Sequence, residues 1–422
     1  MSLISFSKTP KGRYFSLCLT IFTIFSLTNV LRWLPVIGMQ MPIIIICFIL
    51  LLMSCRNSQY LGRVLILTAF LLFFDYFFMY TQEETRFVGA SLQNIIGYNY
   101  TVFVSFFPML IAASGNIEII DKRKYLSFIY ILCLITAITT ILGTYAYEQP
   151  CRELATPDNS NLDRLYKSLN IGGYGFIYFL VLLIPILIRD IIQEKNIFKI
   201  ALLVLFGFCV IRSEYTTALL LFIVSLGVVF LFNSKGFIQK TVIVALIVAL
   251  AVNLQDLLIN LSTVLGEDSF AIGSRLDSLA DYSDTGDVSG DMESRQLYYF
   301  MSINVFLSNP FFGKLFSNRI IGGHSEILDY IGGSGLLGLF FLFLLIQYLR
   351  KYTSLSKIRA RDPYVKSTMV LVIILALFNT FLTPELFLAF LIIPLLIDNN
   401  SEDLKHIKYE NIRTNRTKII KR

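Results

Sequence analysis

Long apolar stretches alternate with short polar joints along this chain, and the stretches have the length of helices that cross a bilayer rather than of strands. Twelve runs stand out: 14–31, 36–54, 63–80, 95–113, 125–145, 171–188, 198–211, 216–232, 238–253, 334–349, 366–382 and 385–397. A hydrocarbon core of ~30 Å asks for about 20 residues of helix. Several runs are shorter, and the seventh and the last are expected to be broken or tilted. The pattern predicts an all-α polytopic membrane protein of about twelve transmembrane helices. Spans one to nine occupy 1–253, a large loop with amphipathic helices occupies 254–333, three further spans occupy 334–397, and a basic tail fills 398–422.

Composition agrees. The chain is 55% hydrophobic and 15% charged, with a mean hydropathy of +0.68, where a soluble domain carries about a quarter charged residues. The net charge of +7 is explained by topology and asks for no nucleic-acid partner. With the N-terminus inside, the inner segments hold 26 of the 36 Lys and Arg residues, which places both termini in the cytoplasm. The basic N-terminus (Lys8, Lys11, Arg13) runs into an apolar stretch that ends Thr28-Asn29-Val30-Leu31-Arg32 without a small-residue cleavage site, so an uncleaved first span is expected. The six cysteines form no disulfide framework, and the two histidines, His324 and His406, have no zinc-type spacing with them. No metal and no cofactor is expected.

Three outer segments carry the polar chemistry. The loop at 146–170 holds Asp158, Asn159, Ser160, Asn161 and Asp163. The loop from 254 to about 333 is far longer than a connector needs. Its first half is acidic around a single Arg275, and its second half carries Arg295, Lys314, Arg319 and His324. The third is the tight turn Arg212-Ser213-Glu214.

Arg212 at a membrane boundary either meets an anion, for which its planar fork is suited, or snorkels or pairs with Glu214. Arg295 opens an amphipathic segment through Leu307, predicted as an interfacial helix with Leu297, Phe300, Met301 and Val305 on one side. There Arg295 would occupy the first turn, where free N–H groups also favour an anion; a headgroup contact explains it equally well. His324 lies between Gly322-Gly323 and Gly332-Gly333-Ser334-Gly335. Those glycines would let the backbone approach a ligand, and a histidine can exchange a proton near neutral pH. The plainer reading is a hydrogen-bonded interfacial histidine. Asp75, inside the third span, is either functional or the partner of a bundle arginine such as Arg212. Glu385 opens the last span, where a helix N-terminus accounts for it.

The order of these pieces resembles a known family. Arg212 in a short outer turn is followed by a span, then by a large outer loop with Ser294-Arg295 and Ser308-Asn309-Pro310-Phe311-Phe312-Gly313. Gly323-His324-Ser325-Glu326-Ile327-Leu328-Asp329 and Gly335-Leu336-Leu337-Gly338 close the series. This resembles the O-antigen and capsule polysaccharide polymerases of the Wzy type and, more distantly, the O-antigen ligases. The resemblance implies a metal-independent glycosyltransferase of GT-C-like fold in the bacterial cytoplasmic (inner) membrane. It would move a growing glycan from undecaprenyl diphosphate onto a lipid-linked repeat unit at the outer face. Its implied partners are that lipid-linked oligosaccharide, membrane lipids and a chain-length regulator. Arg212 and Arg295 would hold the diphosphate, with Arg275 an alternative second arginine. His324 would act at the reacting centre, and Glu326 or Asp329 is an alternative base. Ser325 stands where the ligases usually have Asn. The ligase and a lipid-linked oligosaccharide flippase are the competing readings, although ionisable residues at the outer boundary and one dominant loop disfavour a transporter.

Overall fold

The computed structural model describes residues 9–76, 92–155, 160–233, 291–315, 319–353 and 362–397, with isolated residues between them. Among these residues every regular element is helical. The run at 238–253, the acidic half of the large loop with Arg275, and the tail lie outside them.

The first three helices are α1 (Pro10–Leu27), α2 (Met41–Ser54), entered through a π-turn at Val36–Gln40, and α3 (Ser58–Phe74). Then come α4 (Leu92–Ala113), α5 (Lys122–Ala146), and two short helices, α6 (Pro150–Glu153) and α7 (Ser160–Ser168). They are followed by α8 (Tyr174–Glu194), α9 (Ile197–Arg212), α10 (Thr216–Asn233) and α11 (Asp291–Ser308). The chain closes with α12 (Glu326–Tyr352), α13 (Pro363–Phe378) and α14 (Pro384–Leu396). Eleven of the twelve apolar runs thus coincide with described helices. Four, α5, α8, α10 and α12, are long and apolar enough to cross a membrane, and five shorter apolar helices accompany them.

Of the two runs expected to be broken or tilted, the seventh forms the continuous α9, and the last is interrupted by a π-turn over Leu388–Ile392 just before Pro394. Proline lacks an N–H and crowds the preceding turn, which favours the wider winding there. The tenth helix begins at Glu326 rather than at 334, capped by the Ser325 hydroxyl, which accepts from the Leu328 N–H. A left-handed residue at Gly335 (φ 60°) kinks it. The end of the large loop is therefore the first arm of this kinked helix.

Helix α8 is the axis of the bundle. Between Phe176 and Ile188 it is apolar and buried on every side, and α9, α10, α13 and α14 pack against it. Peripheral helices are two-faced. On α5, Ile131, Ile135, Ile138 and Leu142 point outward, while Tyr125, Ile129, Cys133, Thr136 and Thr140 face the core. Outward apolar stripes at helical spacing are the kind of surface that lipid covers.

Polar clusters lock the two ends. At the basic-loop end, Arg189 bridges Asp190 and Asp362 (3.5 and 3.2 Å), and Lys199 bridges Asp190 and Glu194 (3.1 and 2.8 Å). The Tyr130 hydroxyl donates to Asp190 at 3.0 Å. This network joins α5, α8, α9 and α13, and removing one partner of such a buried set costs about 3–5 kcal/mol. At the opposite end the left-handed Asn170 (φ 57°) accepts from the Asn29 N–H (2.7 Å) and donates to Thr136 and Thr139. The Asn29 amide also donates to the Ile171 carbonyl. These bonds pin the 146–170 loop onto α1 and α5.

Candidate functional site

The end carrying Asn170 surrounds a cavity of about 1350 Å³, larger than most small-molecule pockets. Its wall comes from one end of nearly every described helix: Arg32 after α1, Gln40 before α2, Tyr100 on α4, and Arg152 and Lys167 on α6 and α7. The starts of α8 and α10 add Tyr174, Tyr178, Tyr215 and Thr216, the segment joining α13 to α14 adds Asn379 and Thr383, and the first turn of α14 adds Glu385. Arg295 and Tyr299 on α11, with His324 before α12, complete it. Cations and tyrosines alternate with apolar side chains. Such a lining suits a ligand that is anionic in one part, polyhydroxylated in another and greasy in a third.

Arg295 and His324, 29 positions apart in sequence, come to one cavity wall because α11 and the start of α12 pack backbone against backbone. A Cβ on Gly322 would run into the Tyr298 carbonyl oxygen, and one on Gly332 would lie 2.5 Å from that of Ser302. Gly322 and Gly332 thus serve helix contact, whereas Gly323 lines the cavity. The turn after α11 is sewn to the kink of α12: Leu336 N–H donates to Pro310 O (2.8 Å), and Lys314 N–H is shared between Gly332 O and Gly333 O. His324 is exposed toward the cavity and stacked on Tyr298, with ring centroids 4.6 Å apart.

Helix α11 already begins at Asp291, so Arg295 stands beyond the first turn and its own N–H is spent within the helix. An anion there would meet the guanidinium alone. Burial pushes the neighbouring Tyr299 phenol up from its ordinary range, an effect the Arg295 charge opposes. Of the apolar residues expected on one side, Leu297 and Phe300 are exposed, as is Leu307, while Val305 is buried with Ser302 against α12.

Other predicted residues stand elsewhere. Arg212 is not on the cavity wall; its Nη2 donates to the Thr144 carbonyl (3.2 Å), and its guanidinium lies 4.4 Å from the Tyr145 ring centre. It forms no ion pair with Glu214 or Asp75 among the described residues. Asp75 caps the end of α3, buried beside Phe74, which packs on Phe106 and Tyr330. Glu326 accepts from the Phe381 N–H at 2.8 Å, tying α12 to the segment before α14. Asp329 accepts from the Ser302 hydroxyl and the Ser325 N–H, holding α11 to the α12 cap. None of Asp75, Glu326 and Asp329 lines the cavity. Arg275 lies outside the described residues.

Sequence reasoning missed Arg32, Arg152 and the partnership of Glu385. Glu385 does sit in the first turn of α14, but its carboxylate reaches Arg32 (Nη1–Oε1 2.5 Å). The only available signal was that Arg32 and Arg152 fall in the segments expected on the outer face, which hold 10 of the 36 basic residues. Among the described residues no cluster of His, Cys, Asp and Glu could hold a metal ion. Comparisons with protein-family models, with curated proteins and with solved structures find no match.

Proposed function

We propose that this chain is a polysaccharide polymerase of GT-C-like, twelve-span architecture. It would transfer a growing O-antigen or capsule glycan from undecaprenyl diphosphate onto a lipid-linked repeat unit at the outer face of the bacterial inner membrane. The observation that carries this reading is the meeting of Arg295, Arg152 and His324 on one large, tyrosine-rich cavity at the end of the bundle opposite the basic loops. That end is the outer one when the basic segments are cytoplasmic.

In the proposed reaction an acceptor hydroxyl attacks the anomeric carbon of the donor glycan. A new C–O bond forms, the bond from that carbon to the diphosphate oxygen breaks, and undecaprenyl diphosphate leaves with the electron pair. Arg295 and Arg152 stabilise the charge that grows on the leaving phosphate. His324, held flat by Tyr298, takes the hydroxyl proton, a role that contributes about 10²–10⁴-fold elsewhere. The assay is purified protein with the lipid-linked repeat unit, scored for chain length. A strain lacking the chain should carry single repeat units on its surface lipid or wall. Surface lipid with no attached glycan would favour the ligase, and unchanged polymer would overturn both.

A further inference from the structure

On the wall formed by α1, α4 and α14, the cavity holds a cluster that neither diphosphate binding nor proton transfer uses. Arg32 is 24% exposed and Glu385 2%, and their ion pair is steadied by the Phe25 ring, whose centre lies 5.6 Å from the Arg32 guanidinium. Among the described residues Glu385 Oε2, Tyr100 Oη and Thr383 Oγ1 are all buried without a hydrogen-bond partner, and all three residues line the cavity. An orphaned buried polar atom costs about 1–3 kcal/mol, so three on one wall mark a place that something polar completes. Room for the carboxylate comes from Gly175, where a Cβ would lie 2.6 Å from Glu385 Oε2.

We propose that Arg32, Glu385, Tyr100 and Thr383 form a subsite for a sugar ring of the lipid-linked glycan, reading its hydroxyls; this rests on the polymerase reading above. The charge balance separates it from the phosphate end. Glu385 neutralises Arg32 and would repel a diphosphate. A sugar hydroxyl both donates and accepts, and the subsite offers guanidinium donors, a carboxylate acceptor and two hydroxyls that do either. The three orphaned oxygens are covered, so a ring engages them as the side chains turn into the cavity.

The test compares bare undecaprenyl diphosphate with the undecaprenyl-diphosphate-linked repeat unit extracted from the same cells, binding each to purified full-length protein in detergent. Tyr100→Phe and Thr383→Val each delete one orphaned hydroxyl, so thermal stability should hold or rise. Each should lose about fivefold in affinity for the sugar-bearing lipid and none for the bare one. Glu385→Gln keeps the shape and should also lose only the increment due to sugar. Equal weakening toward both lipids, or no change toward either, would overturn the subsite. If wild type fails to distinguish the two lipids, the subsite falls while the diphosphate reading stands. If it binds neither, both fall.

Discussion

The Tyr298 ring lies over His324 with their planes 27° apart and their centroids 4.6 Å apart. Tyr298 is fixed on α11, whose carbonyl at that residue is the atom Gly322 must clear. The histidine that precedes α12 therefore takes its orientation from a different helix. Tyr298→Phe should keep the stack and the activity, while Tyr298→Ala should lower turnover by up to about tenfold with lipid affinity little changed. Steady-state kinetics on the lipid-linked repeat unit would check it, and normal turnover in the alanine variant would remove the stack from the mechanism.

The close approach of α11 and α12 can be tested without any substrate. Gly322→Ala and Gly332→Ala drive a methyl into backbone and should cost about 1–3 kcal/mol each, read as a drop in melting temperature in detergent. Gly335→Ala adds left-handed strain to its clash with the Pro310 carbonyl. Gly227→Ala on α10, where a Cβ meets nothing within 4 Å, is the control and should be neutral or stabilising. Equal melting for all four variants would contradict the packing described.

The two arginines singled out by sequence should separate. Arg295→Lys and Arg295→Ala should both weaken undecaprenyl diphosphate binding by about 10–100-fold, because a point charge does not replace a bidentate fork. Arg212→Ala should leave that affinity intact and instead lower the melting temperature, since Arg212 ties α9 to α5 through Thr144 and Tyr145. Loss of lipid binding in Arg212→Ala with unchanged melting would return it to the site.

Cys151 reports on the docking of the 146–170 loop. It is 1% exposed, the Tyr215 hydroxyl donates to its carbonyl at 2.5 Å, and burial with Glu214 nearby pushes its thiol up to about 12. A raised thiol pKa keeps the neutral, unreactive form at every pH below that value. Maleimide should therefore fail to label Cys151 between pH 7 and about 9 and should label it after denaturation. Rapid labelling of the folded protein would show the loop to be undocked.

The charge asymmetry predicts that a reporter fused after Arg422 reads cytoplasmic and one inserted near Gly286 reads extracytoplasmic. Both on one side would sink the topology on which the polymerase reading depends.

Helix identity was legible in the chain because hydrophobic runs of bilayer length leave few options: backbone N–H and C=O groups must be satisfied within the segment. Eleven of the apolar runs emerge as described helices for that reason, and Arg295 and His324 were both singled out from local motifs. What sequence could not give was the partner of each polar residue. Arg212 sits in a motif suited to anions, yet its neighbours are a carbonyl and a ring on α5. Glu326 and Asp329 look like bases and serve as ties between helices. Arg32, unremarked at the end of the first run, finds Glu385 across 353 positions. Local periodicity fixes which residues form a helix and which end of it is polar. Which polar ends share a wall depends on the order in which helices pack around α8 and on where glycines let two backbones touch, and those are properties of the tertiary structure alone.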